Sequence, residues 1–194
     1  MSPRSGVPLR GQESEQGTLN TKLLKLDLGC GAQKKSPEYT GVDISDKCGA
    51  DIVHDLAKKP WPFTDNSVEE IWSSHFFEHL DGKQRIIFME EAHRVLKTGS
   101  KITIVTPYWS SIRAIADPTH AWPPICEQSY LYFSKKWRQE NHVEHYDINC
   151  DFDLSECSYI LDGEIATGPQ ESKQFAMKHY TNSVLDLQMI LVKK

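Results

Sequence analysis

The stretch Leu26-Asp27-Leu28-Gly29-Cys30-Gly31 decides how the rest of the chain reads. Leu23-Leu24-Lys25-Leu26 leads into it as a short apolar run, the pattern of a buried strand. Gly29 and Gly31 then make a turn, and glycine lets a backbone pass close beneath a ligand because no Cβ stands in the way. A second short run, Gly41-Val42-Asp43-Ile44, carries an acid at its tip. A strand, a glycine turn and an acid on the next strand suit a nucleoside, with the carboxylate accepting from the ribose hydroxyls. The dinucleotide version of this pattern needs a third glycine. That position is Lys34, and no pyrophosphate cradle follows. The expected ligand is therefore a nucleoside without phosphates, and S-adenosylmethionine fits.

From this point the sequence resembles a known family. Leu-Asp-Leu-Gly-Cys-Gly is similar to the first motif of the class I S-adenosylmethionine-dependent methyltransferases, of the type 11 kind. Asp43, His54-Asp55-Leu56, Trp72-Ser73-Ser74-His75 and Arg94-Val95-Leu96-Lys97-Thr98-Gly99 follow in the family's order. The resemblance runs from about Lys22 to Lys194. It implies a Rossmann-like α/β sandwich with a mostly parallel seven-stranded sheet, an antiparallel last strand and the order 3-2-1-4-5-7-6. It also implies roles. Asp27 helps hold the methionine amino group, Gly29, Cys30 and Gly31 form the cofactor turn, and Asp43 with Ile44 meets the ribose. Asp55 and Leu56 frame the adenine, and Ser74 faces the methionine moiety.

Composition narrows the class. The chain has 194 residues, 39% hydrophobic and 25% charged, enough for one domain with a sizeable core. Its apolar runs are strand-sized, so no membrane span is expected. The first residues lack a signal peptide's apolar region. Five scattered cysteines show no zinc-finger or redox spacing and read as reduced thiols of a cytoplasmic protein. The net charge of −5, with basic doublets far apart, argues against broad nucleic-acid binding and leaves recognition of a single RNA end open. Residues 1–20 read as a disordered tail and 21–194 as the methyltransferase domain.

Along that domain, the links Gly31–Gly41 and Asp43–Asp51 are too short for full crossover helices, so the early helices should be stunted or replaced by loops. Asp51–His54, Val68–Trp72 and Lys101–Thr106 read as further strands. Asp81 with Gln84 resembles a capping box, Phe88, Ala92, Val95 and Leu96 make one apolar helical face, and Gly99 should cap that helix. Residues 108–137 hold three of the five tryptophans with Pro118, Pro123 and Pro124. They read as a substrate-side insertion or as an aromatic cluster packed beneath a loop. Tyr146–Ile160 and Val184–Val192 should pair antiparallel, and the 162–182 segment between them should be a long loop or lid.

His75-Phe76-Phe77-Glu78-His79 is the other stretch with chemical content. On a helix, positions 75, 78 and 79 share one face, and two imidazoles with a carboxylate can ligate a divalent metal. The letters match the inverted zinc-protease motif, but the methyltransferase frame around them rules out that reading. Relatives with Glu-x-x-Glu-His here include ubiquinone-pathway O-methyltransferases and small-RNA 3′-end 2′-O-methyltransferases, which use a metal. The resemblance thus implies an ion held by His75, Glu78, His79 and His120, with His75 replacing the first glutamate. Alternatively His75 or His79 is a metal-free general base, or the histidines only pack. The expected activity is methyl transfer to an oxygen, with nitrogen second, of a small-molecule acceptor. An RNA 3′-end 2′-O-methyltransferase and a non-catalytic S-adenosylmethionine-binding protein are the alternatives. The oligomeric state is not legible.

Overall fold

Seven short apolar runs assemble into a single sheet. The computed structural model describes residues 23–194, so the tail expected at 1–20 lies outside the described residues. The strands are β1 (Leu24–Leu28), β2 (Thr40–Asp43), β3 (Ile52–Val53), β4 (Val68–Ser74), β5 (Leu96–Pro107), β6 (Phe152–Leu161) and β7 (Val184–Lys193). They lie in the order β3-β2-β1-β4-β5-β7-β6. The first five run parallel, and β7 is antiparallel to both β5 and β6. Leu26, Leu28, Val68, Ile71, Ile102 and Ile104 are fully buried, as strands covered on both faces require. The links after β1 and β2 are turns without a helix, which accounts for the expected shortening.

Helix α1 (Gly82–Val95) starts where its sequence says it should. Asp81 Oδ1 accepts from Gln84 N at 2.9 Å, and Gln84 Oε1 accepts from Asp81 N at 2.9 Å, which completes the capping box. Phe88, Ala92 and Val95 are buried on its inner face. The Trp61 and Phe88 rings meet edge-on at 5.3 Å, and Phe77 stacks on Tyr130 at 5.8 Å. Burying each such side chain is worth about 1.5–3 kcal/mol.

Four sequence expectations need correction. Gly99 does not cap α1. The helix gives way at Leu96, which is extended and paired with Val68. Burying Leu96 in the sheet outweighs another helical turn, and Gly99 (φ +80°) serves a bulge where pairing with β4 jumps from Leu96 to Lys101. Strand β6 begins at Phe152 rather than Tyr146. The preceding segment is tied instead to the buried Arg138 guanidinium, which donates to the carbonyls of Tyr132, Ile148 and Cys150 at 2.6, 3.1 and 3.1 Å. The 162–182 segment is helical, with α5 (Gly163–Ala166) and α6 (Gln170–His179). Its glycines and Pro169 punctuate helices, and Asp162 caps α5 by accepting from Glu164 N at 3.1 Å. Finally, His75 is not on a helix: it has φ +54° between β4 and a 3-10 turn at Phe77–His79. Numbered in chain order, α2 (Arg113–Ala116), α3 (Gln128–Leu131) and α4 (Lys135–Glu140) lie in the aromatic insertion. Among the described residues no helix is long and apolar enough to cross a membrane.

Candidate active site

The tips of β1 and β2 carry the first cluster. Gly29 N and Cys30 N both donate to Val42 O, at 2.8 and 3.2 Å, which folds the glycine turn back over β2. Asp43 Oδ2 accepts from Gly31 N at 3.0 Å and Oδ1 from Ser45 N at 2.9 Å. Asp27 Oδ2 accepts from Lys35 N at 2.6 Å, and burial still pushes its carboxyl above the usual range. The two glycines differ. Gly29 has φ +73°, and a Cβ there would stand 2.3 Å from Phe76 Cγ, so its missing side chain makes room for a phenyl ring rather than for a ligand. Gly31 has φ +52° and faces open space within 4 Å. The adenine-side expectation splits as well. The Asp55 carboxyl is half-buried and lowered by its bond to Lys58, 3.0 Å away. The Leu56 side chain is in the core, which leaves only its backbone to face a ligand. Ile44 projects into solvent, and Ser74 ends β4 opposite Val105. The Cys30 thiol is buried and pushed up to about 11 by burial and by Asp27 and Asp43.

The tips of β4 and β5 carry the second cluster. His75 N donates to Val105 O at 2.9 Å, which turns the chain sharply off β4. The following 3-10 turn buries Glu78 to 5% exposure, and neither of its carboxylate oxygens has a hydrogen-bond partner. His75 Nδ1 is 3.4 Å from Glu78 Oε1 without the alignment of a hydrogen bond. The carboxylate is close enough to raise the His75 pKa. One ligand atom each from Glu78, His79 and His120 lies within 4.8 Å of the other two, and the rings of His79 and His120 meet edge-on at 4.8 Å. Three of the four expected metal ligands therefore converge, and His75 adjoins them through Glu78.

Hydrogen bonding sets the faces of both imidazoles. Thr119 Oγ1 donates to Asp117 Oδ1 at 2.7 Å and so accepts from His79 Nδ1, 3.0 Å away. His120 Nδ1 donates to the Ala114 carbonyl at 3.2 Å. Each ring thereby keeps Nε2 as a lone-pair donor, the tautomer a metal-ligating histidine adopts. A cavity of about 220 Å³ lined by Ile115, Asp117, His120 and Trp122 opens beside them.

One residue of this site was missed from the sequence. Arg85 is 8% exposed on α1, and its guanidinium donates to the carbonyls of Pro123 and Ala121 at 2.8 and 3.2 Å and, more weakly, to those of Phe77 and Glu78. With the Ala121 N–H donating to Glu78 O at 2.9 Å, it clamps the 3-10 turn to the insertion and so brings His79 to His120. Its signal was its place: residues 85, 88, 92 and 95 share one helical stripe, and a charge on an apolar stripe must be paired inside.

Residues 26–104 match the family model of the methyltransferase domain, type 11. No curated protein sequence matches the chain. Among solved structures, a SAM dependent methyltransferase from Archaeoglobus fulgidus is 17% identical, covering 88% of this chain and 86% of that chain, with a TM-score of 0.57. A SAM-dependent methyltransferase from Methanosarcina mazei is 17% identical over 87% and 91%, with a TM-score of 0.55. The geranyl diphosphate C-methyltransferase of Streptomyces coelicolor A3(2), solved with Mg²⁺, geranyl diphosphate and S-adenosyl-L-homocysteine, is 14% identical over 89% and 71%, with a TM-score of 0.52. The glycine turn between β1 and β2 lies inside the 26–104 match to the methyltransferase domain, and the sheet order with its reversed β7 is the Rossmann-like fold that this chain shares with these S-adenosylmethionine-dependent methyltransferases.

Proposed function

We propose that this enzyme moves the methyl group of S-adenosylmethionine to an oxygen, with nitrogen as second choice, of a small-molecule acceptor, and that Glu78, His79 and His120 hold a divalent ion beside it. The observation that carries the metal is Glu78. A carboxylate buried to 5% exposure with both oxygens unpartnered costs several kcal/mol unless a cation meets it. Arg85 is near, but the hydrogen bonds it makes go to carbonyls, and His75 Nδ1, 3.4 Å from Oε1, is not aligned to donate. Two imidazoles with lone pairs left at Nε2 complete a nitrogen and oxygen donor set that fits zinc, manganese or a similar ion. Support for a small acceptor comes from the cavity beside His120 and from the geranyl diphosphate enzyme of the same fold.

On this reading Asp43 accepts from the ribose hydroxyls and Asp27 takes the amino group of the methionine moiety. The open side of Gly31 admits the cofactor backbone. The in-line displacement at the sulfonium asks the protein mainly for alignment and exclusion of water. A bound divalent ion would lower the pKa of an acceptor hydroxyl. Thr119 and Asp117 keep the His79 ring turned toward the ion, and Arg85 holds the two loops in register. A second reading, favoured by the contact between His75 and Glu78, keeps His75 as a metal-free proton acceptor made more basic by the carboxylate.

Elemental analysis of untagged protein, followed by chelation and metal add-back in a labelled methyl-transfer assay over metabolite pools, tests the metal. Glu78→Gln should abolish metal retention and lower turnover about 100-fold or more. Where His75 is neutral it should leave the metal-free protein as stable as the wild type or more stable, because it removes a buried charge that then faces no cation. Full turnover in chelator, with no metal found, leaves His75 as the base.

A further inference from the structure

The fold creates a second donor cluster that the cysteine spacing did not announce. Cys30 follows β1 and Cys48 lies in the turn after β2, yet both thiols flank Asp43. One ligand atom from each of Cys30, Asp43 and Cys48 lies within 4.8 Å of the other two. Sulfurs around a tetrahedral zinc are about 3.8 Å apart, given a bond of about 2.3 Å.

The cluster is built rather than accidental. Gly41 clears the place of the Cys30 thiol, since a Cβ at that residue would stand 2.9 Å from Sγ. Cys48 Sγ donates to Ser45 O at 3.1 Å, and Ser45 N donates to Asp43 Oδ1 at 2.9 Å, so one turn holds thiol and carboxylate together. Asp27 adds a buried negative group next to Cys30. Two sulfurs and a carboxylate select thiophilic divalent ions over magnesium.

We propose that Cys30, Asp43 and Cys48 bind one thiophilic divalent ion of the zinc or cadmium class, and that this ion competes with S-adenosylmethionine for Asp43. The two thiols release their protons to solvent as the ion binds. The competition rests on the reading that Asp43 holds the cofactor ribose. A rise in free zinc would then shut the enzyme at its cofactor site, in contrast to the activating ion proposed at Glu78.

Cadmium titration of the reduced, untagged full chain tests this through the ultraviolet charge-transfer band of cadmium thiolates. The cluster of Glu78, His79 and His120 offers no sulfur and is silent in that band. The band should saturate at one ion per chain, vanish in Cys48→Ser and be suppressed by excess S-adenosylhomocysteine. Saturating cadmium should weaken S-adenosylhomocysteine binding by about tenfold or more in the wild type and leave it unchanged in Cys48→Ser. A band that survives Cys48→Ser overturns the site. Unchanged S-adenosylhomocysteine affinity in wild-type protein carrying cadmium overturns the competition, whatever the variant does. The ribose reading is tested separately by Asp43→Ala in metal-free protein.

Discussion

The two clusters at the sheet's edge treat their carboxylates in opposite ways. On the side of β1 and β2, Asp27 and Asp43 each accept from backbone N–H groups within 3.0 Å. These bonds fold the glycine turn and need nothing from outside. On the side of β4 and β5, Glu78 is as buried as Asp27 but has no hydrogen-bond partner at either oxygen. The neighbouring cation, Arg85, is committed to carbonyls. On one side the chain's own N–H groups meet the carboxylates, and on the other Glu78 has only His75 Nδ1 beside it, 3.4 Å away and not aligned for a hydrogen bond. A carboxylate that shapes a loop and one that awaits a cation can look alike in sequence. Their hydrogen bonds tell them apart.

The largest expected effect breaks the scaffold under the second cluster. Arg85→Met leaves buried carbonyls of Ala121 and Pro123 unpaired and should cost about 3 kcal/mol or more. Thermal unfolding should drop by roughly 6–12 °C, with loss of metal retention. A melting temperature within about 2 °C of wild type would mean the turn and the insertion hold together without it.

Next is the first cluster. Asp43→Ala should weaken S-adenosylhomocysteine binding by about 1.5–3 kcal/mol, the worth of a lost charge-assisted bond, as read by calorimetry. Metal retention at Glu78 should be untouched, which separates the two sides. An unchanged affinity would remove Asp43 from the cofactor site.

A finer test concerns the His79 tautomer. Thr119→Val removes the hydroxyl between Asp117 and His79 and should lower metal affinity about 10–100-fold with little change in cofactor affinity. Thr119→Ser should restore it. Equal metal affinity in Thr119→Val would show that His79 needs no such fixing.

The smallest effect is a pH signature. Glu78 raises the His75 pKa above its ordinary 6.5. A raised folded-state pKa stabilises fully below the unfolded value and is lost as pH rises through the folded one. In metal-free protein, the melting-temperature advantage of wild type over His75→Gln should therefore be largest below pH 6.5 and fade above it. A pH-independent difference would make the His75–Glu78 contact electrostatically idle.

The early strands, the glycine turn and the start of α1 were legible because each rests on local signals, whereas the strand order came from the family resemblance. Burial periodicity marks a strand, a capping box marks a helix start, and link length allows or forbids a crossover helix. Gly99 was misread for the same reason: a glycine after an apolar helical face also fits a bulge, and only the pairing of Leu96 with Val68 chooses between them. The 162–182 segment was misread because α5 and α6 are short and carry few apolar residues.

By itself the sequence determined the glycine turn, the early strands, the start of α1 and the residues able to carry chemistry, since those depend on residue type and short-range spacing, and its likeness to a family supplied the sheet order. The tertiary structure alone decided which of them meet. His120 reaches His79 because Arg85 ties two loops remote in sequence. Cys48 reaches Cys30 because β2 lies beside β1. Gly29 makes room for Phe76 while Gly31 stays open. Glu78 is left without a hydrogen bond because Arg85 beside it donates to carbonyls instead. Pairing of buried charges is a property of three-dimensional neighbours, and no spacing rule along a chain encodes it.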